Sequence, residues 1–153
     1  MVSPPQSEVA LLQRADALAG RTLGDLAAER LLPVPPDLKR HKGWIGDLLE
    51  HLLGAEAGNA SEPDFAHLGI ELKTIPVDHR GKPKESTWVC VAPVGVLDPG
   101  TWWTSTVRRR LARVLWVPVL GDGPPGERIV GAPVLWSPDA DQEETLKADW
   151  EAL

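Results

Sequence analysis

The sequence predicts an α/β (α+β) chain with helices first, strands in the middle and a helix at the end. Three observations carry this. Apolar residues recur at helical spacing between Ser7 and Leu53. Short β-branched and leucine-rich runs, bounded by Gly and Pro, lie between Gly69 and Trp136. A Ser-Pro pair with acidic residues close behind it opens a last helix at Ser137. At 153 residues the chain is long enough for one domain with a real core. It divides into a helical part over 1–54, a strand part over 55–136 and the start of a helix over 137–153.

The first helix is expected over Ser7–Leu18, where Val9, Leu11, Leu12, Ala15 and Leu18 fall near helical spacing and Gly20 is a stop. Thr22 caps a second, Leu23–Leu31, which ends at the prolines Pro33 to Pro36. A basic approach, Lys39 to Lys42, leads into a third helix that runs to about Gly54, with Ile45, Leu48, Leu49, Leu52 and Leu53 as its apolar stripe. Lys42, Gly46 and Glu50 follow one another at four-residue steps along its flank. On helical pattern alone Glu50 reads as a solvated flank residue. The other reading makes it a third carboxylate beside the strand that follows, with Gly46 permitting close approach of a backbone or nucleic acid.

That strand is expected over Gly69–Val77. A strand sends alternate side chains to opposite faces, so Glu71 and Lys73 share one face and Ile70, Leu72 and Thr74 the other. Strands that only pack disfavour both Glu and Lys. Asp64 precedes a turn at Gly69 that can bring its carboxylate back to Glu71. Two carboxylates offer hard oxygen ligands for Mg²⁺, and a neighbouring ammonium can orient a water or neutralise a phosphate. The spacing Asp-x6-Glu-x-Lys, with Pro63 before Asp64, resembles the PD-(D/E)XK nuclease signature. Alone it is also what an exposed charged strand would show.

Asp78–Lys84 reads as a hairpin-type turn and Ser86–Ala92 as a central strand carrying Cys90 as a buried thiol. Pro93–Gly100 is a loop that leads to Trp102 and Trp103. A helix then precedes the strand Val114–Val119. Arg108, Arg109, Arg110 and Arg113 make four arginines in six residues. They are either a phosphate-contacting patch or cations placed at a helix end. Arg128–Trp136 is a further strand, and Pro133 marks it as an edge. The last helix has Leu146, Trp150 and Leu153 as its stripe and no terminating Gly, Asn or Pro, so it reads as an element cut midway.

Composition narrows the classes. No run approaches the ~20 apolar residues that span a bilayer, and the start of the chain lacks the basic and apolar runs of a signal peptide. One cysteine permits no internal disulfide and fits a reducing cytoplasm. The net charge of −6 argues against a protein that coats DNA non-specifically, while leaving room for a nuclease with local basic patches. The four histidines lack ligand spacing, and the chain has no P-loop, no dinucleotide fingerprint and no nucleophile elbow.

Beyond the short signature, longer segments carry a resemblance. Lys42-Gly43-Trp44-Ile45-Gly46, Leu48-Leu49-Glu50, Asp64-Phe65, the stretch Leu68 to Asp78, Val89 to Pro93, Arg113 to Val119 and Leu135 to Pro138 resemble the MutH family of methyl-directed mismatch-repair endonucleases, in one order and with matching spacing. The resemblance implies a PD-(D/E)XK, restriction-endonuclease-like core: a mixed sheet flanked by helices. It implies Mg²⁺ as cofactor and nicking of the unmethylated strand at hemimethylated GATC in double-stranded DNA. Partners would be a MutL-type ATPase and, through it, a MutS-type mismatch sensor.

Carried onto this sequence, Asp64, Glu71 and the backbone carbonyl of Leu72 become metal ligands. Lys73 becomes the catalytic lysine and Glu50 a further acidic residue of the active site. Lys42 and Gly43 fall near DNA, as do Arg108 and Arg110 of the basic cluster. Arg110 stands where the family is expected to have Lys. Such chains are also expected to continue past Leu153 into a second arm that reads the bases, so this chain reads as lacking that arm. Two other readings remain at this point: a catalytically silent fragment that keeps a surface for a MutL-type partner, and a restriction-type enzyme that cuts both strands at GATC.

Overall fold

In a computed structural model, which describes residues 2–56, 62–87, 89 and 100–153, the helices form where the caps and apolar spacing predict them. Helix α1 spans Glu8–Leu18, and the Ser7 hydroxyl accepts the Ala10 N–H at 3.1 Å. Helix α2 spans Leu23–Glu29 under a Thr22 cap, two residues shorter than the sequence suggests. Helix α3 spans Trp44–Leu53 and ends on Gly54 in the left-handed region at φ 82°. A Cβ there would lie 2.4 Å from the Ser3 carbonyl oxygen, so this close stop requires glycine. Arg14 reinforces it by donating from Nη1 to the Leu53 carbonyl at 3.0 Å.

The sheet is mixed, as expected from the resemblance. Strand β1, Glu71–Val77, runs parallel to β2, Val114–Leu120, with Glu71 opposite Val114 and Val77 opposite Leu120. On its other side β2 pairs antiparallel with β3, Ile129–Val130, and with β4, Val134–Trp136. The single strand expected over Arg128–Trp136 is therefore two. Between the pairs Val119–Val130 and Trp116–Val134 the outer chain has three residues, 131–133, where β2 has two, 117–118. This is a bulge, and it absorbs Pro133, which has no N–H to give to a ladder.

Leu115, Val117 and Val119 of β2 bury one face in a core with Leu11, Leu26, Leu49 and Leu53 of the first three helices. At ~25 cal/mol per Å² such side chains contribute roughly 1.5–3 kcal/mol each, and they fix α3 against β1. The strand expected over Ser86–Ala92, with Cys90 inside it, lies mostly outside the described residues, as does most of the 93–100 loop. Ser86, Thr87 and Val89 are described and are not strand.

Helix α4, Thr106–Leu111, leads into β2, and α5, Ala140–Glu151, follows β4. Asp139 and Gln142 form a capping box at the start of α5. The stripe expected on α5 is only half covered: Leu146 and Trp150 are intermediate and Leu153 is 73 % exposed. A polar hub anchors this helix instead. Glu143 Oε1 accepts from Trp102 Nε1 at 2.9 Å and from Arg108 Nε at 2.7 Å, and the Trp102 and Trp150 rings lie 6.2 Å apart.

Candidate active site

A tight return of the chain builds the site. Phe65 and Ile70 exchange backbone hydrogen bonds of 2.9 and 3.3 Å around a turn closed by Gly69 at φ 67°. That pairing sets Asp64 beside the first residues of β1. The Asp64 N–H donates to Glu71 Oε1 at 3.2 Å, and the Leu72 N–H donates to Asp64 Oδ2 at 2.9 Å. The seven-residue separation of Asp64 and Glu71 is thus the separation that this turn bridges.

Glu71 is only 1 % exposed, which excludes the solvated-strand alternative for this residue. Its Oε2 accepts from Arg110 Nη1 at 3.0 Å and lies 3.5 Å from Lys73 Nζ. Lys73 also reaches the Val89 carbonyl at 3.4 Å. Glu50 projects from α3 toward the same place. Burial, followed by the nearby Asp64 carboxylate, pushes the Glu50 carboxyl up to about 7. Burial and contact with Asp64 likewise push Glu71 up to about 7, against the pull of Lys73 and Arg110. Three carboxyl groups from α3, the 64–70 turn and β1 therefore crowd one spot, where Glu50 and Glu71 resist ionisation.

A groove of about 340 Å³ opens onto this cluster, with Lys42, Gly43, Gly46, Glu50, Leu72 and Lys73 among its lining. A Cβ on Gly46 would touch nothing within 4 Å, so Gly46 leaves the groove floor open. A larger apolar hollow of about 480 Å³, between residues 32–35 and α3, has Asp47 as its one carboxylate and holds none of the candidate catalytic, metal-binding or DNA-contacting residues.

Lys42, Gly43, Glu50, Asp64, Glu71, Leu72 and Lys73 are thus brought to one place. Of the four clustered arginines, Arg108, Arg110 and Arg113 have carboxylate partners, and Arg109 is exposed. Arg110 points inward to Glu71, Arg108 pairs with Glu143 and lies 5.0 Å from the Trp103 ring centroid, and Arg113 pairs with Glu8 and Ser137. The inward turn of Arg110 was not read from sequence. Its signal is indirect: a carboxylate on a buried strand needs a cation, and Arg110 is one of the few near.

Hard oxygens that repel one another are the donor chemistry Mg²⁺ takes, since that ion uses one or two carboxylates and keeps waters. Among the described residues no group of three or more His, Cys, Asp or Glu side chains is placed to hold a metal ion between them. An open site of two carboxylates with water and substrate oxygens completing the shell is compatible with that.

The raised Glu50 carboxyl has a measurable consequence. A carboxyl group with a folded-state value above its ordinary one stabilises the fold at low pH. That contribution is lost as pH rises from about 4.5, the ordinary value, to about 7. Glu50→Gln removes the penalty. The metal-free variant is expected to be more stable than the parent at pH 8 by on the order of 1 kcal/mol, the full shift being discounted for solvent screening, and equal to it near pH 4. Thermal unfolding at the two pH values checks this.

Comparison with known proteins gives the same direction. A family profile described as the DNA mismatch repair enzyme MutH matches residues 53–149. A DNA mismatch repair protein MutH of Photorhabdus laumondii is 56 % identical over 153 residues, covering 99 % of this chain and 67 % of its own. One from Pectobacterium atrosepticum is 57 % identical over 151 residues, covering 97 % and 65 %. One from Klebsiella pneumoniae is 57 % identical over 155 residues, covering 100 % and 67 %. The chain thus spans about two thirds of the length of these relatives, and with this identity over nearly all of its residues it belongs to the MutH family of DNA mismatch repair enzymes.

Proposed function

We propose that this chain carries the catalytic site of a Mg²⁺-dependent endodeoxyribonuclease of mismatch repair, which nicks the unmethylated strand at hemimethylated GATC sites in the cytoplasm. The observation that carries the reading is the convergence of Glu50, Asp64 and Glu71 on one spot with the Lys73 ammonium beside them. No helix among the described residues is long and apolar enough to cross a membrane. A MutL-type ATPase, and through it a MutS-type mismatch sensor, are the partners proposed.

In this reading Asp64, Glu71 and the Leu72 carbonyl hold the metal. When bound, Mg²⁺ supplies charge stabilisation at the phosphate and a water of lowered pKa. Lys73 stands 3.5 Å from Glu71, held there by strand geometry, and orients the water or meets the charge that develops. Glu50 borders the site from α3 and takes up a proton or a water in second contact with the metal ligands. Lys42 and Gly43, on the groove wall, place the DNA backbone. For Arg108 and Arg110 a phosphate contact requires that each exchange its present carboxylate partner, Glu143 or Glu71.

The test uses a linear duplex with one hemimethylated GATC, Mg²⁺ and the 153-residue chain, with and without a MutL-type ATPase. Nicks confined to the unmethylated strand at GATC support the reading. Nicks distributed over both strands and all sequences leave a nuclease without the proposed selectivity. Concerted double-strand cuts at GATC favour a restriction-type enzyme.

A further inference from the structure

Resting on the metal-site reading above, we propose that Arg110 is the stand-in cation of this site. Its guanidinium holds Glu71 in the metal-free protein, and a divalent metal binds in competition with it.

Glu71 is 1 % exposed, so its carboxylate has almost no water to call on. Its two oxygens are already engaged. Oε1 accepts the Asp64 N–H at 3.2 Å, while Oε2 faces Arg110 Nη1 at 3.0 Å and Lys73 Nζ at 3.5 Å. A metal that takes Oε2 must therefore displace one of two cations. Lys73 starts two residues along the same strand, so β1 fixes its base beside Glu71. Arg110 arrives from a separate element, α4, a helix of six residues, on a long stem. In the proposal it is Arg110, which shares no strand with Glu71, that gives way to the metal.

The charge balance points the same way. Glu50, Asp64 and Glu71 gather three acidic groups, and Lys73 and Arg110 bring two positive charges. A divalent cation added to the full set makes the spot cationic and drives one monovalent cation out. A buried carboxylate that loses a charged donor is costly. A guanidinium that waits on Glu71 keeps the carboxylate aimed while the metal is away. Arg110 is in this sense a positioning residue, and it lowers metal affinity as a consequence.

The probe is Mn²⁺, counted by electron paramagnetic resonance of the free ion, on the whole chain without DNA. Four proteins are compared: the parent, Asp64→Asn, Arg110→Met and Arg110→Lys, each checked for native circular dichroism. The expected result is Mn²⁺ binding by the parent that Asp64→Asn abolishes, with Arg110→Met binding roughly tenfold tighter, a change of about 1.4 kcal/mol. Arg110→Lys, which keeps the charge but loses the planar reach, is expected to bind about threefold tighter, and it carries the test if the Met variant does not fold.

A guanidinium with a purely structural role would act in the opposite sense, because freeing Glu71 would loosen the ligand set. Binding equal to or weaker than the parent's in the folded Arg110 variants, with Asp64-dependent binding intact in the parent, overturns the stand-in role and leaves the metal site standing. Absence of any Asp64-dependent binding in the parent overturns both.

Discussion

Lys73→Ala is expected to lower the rate of DNA nicking by roughly 10²–10⁴-fold, the range over which a positioned acid–base or charge-stabilising group contributes. The side chain is 13 % exposed and lies within 3.5 Å of Glu71, so no surface lysine can substitute for it. The fold should survive. Lys73 belongs to the polar end of β1, and the core residues Leu72, Leu115 and Leu49 are untouched by its loss. The variant is therefore expected to keep its circular dichroism and its binding of duplex DNA within a few-fold while losing turnover. Single-turnover cleavage of a labelled duplex separates these quantities. A Lys73→Ala protein that nicks at the parent's rate would remove Lys73 from the machinery.

The largest effect on stability is expected at Trp102. It is 1 % exposed, packs near Trp150 and donates from Nε1 to Glu143. Trp102→Ala empties that volume and leaves Glu143 with Arg108 alone, at an expected cost of roughly 3–5 kcal/mol. The adjacent Trp103 is 58 % exposed, with the Arg108 guanidinium 5.0 Å from its ring centroid. Trp103→Ala is expected to cost less than about 1 kcal/mol. Urea unfolding followed by circular dichroism distinguishes the pair, and equal losses would mean that α5 is not anchored through Trp102.

The two tryptophans illustrate what local sequence can and cannot carry. Caps and apolar spacing are local, so Ser7, Thr22 and Gly54 mark helix ends that the structure reproduces. The turn at Gly69 is local as well, and with it the return of Asp64 to Glu71. Pairings made across the fold leave no periodic trace. Arg113 meets Glu8 from 105 positions away, Arg110 meets Glu71 from 39 and Arg108 meets Glu143 from 35. From sequence alone those arginines form a block of like charge, and the structure disperses them to three different acids. Glu50 shows the same limit. Its helical position puts it on a flank, and only the packing of α3 beside β1 and the 64–70 turn makes that flank face other carboxylates. Pro133 was legible as an interruption, whereas the bulge that accommodates it depends on the register with β2.

Asp64, Glu71 and Lys73 are proposed to form one metal-dependent phosphodiesterase site. Its most direct measurement is the nicking of supercoiled plasmid by the chain and by Asp64→Asn, each with Mg²⁺ and with EDTA. The expected result is nicked circles from the parent in Mg²⁺ alone, and a rate lower by at least about 10²-fold in the variant, as for loss of a group that stabilises transition-state charge. Equal nicking by a folded Asp64→Asn, or nicking by the parent that persists in EDTA, would contradict it.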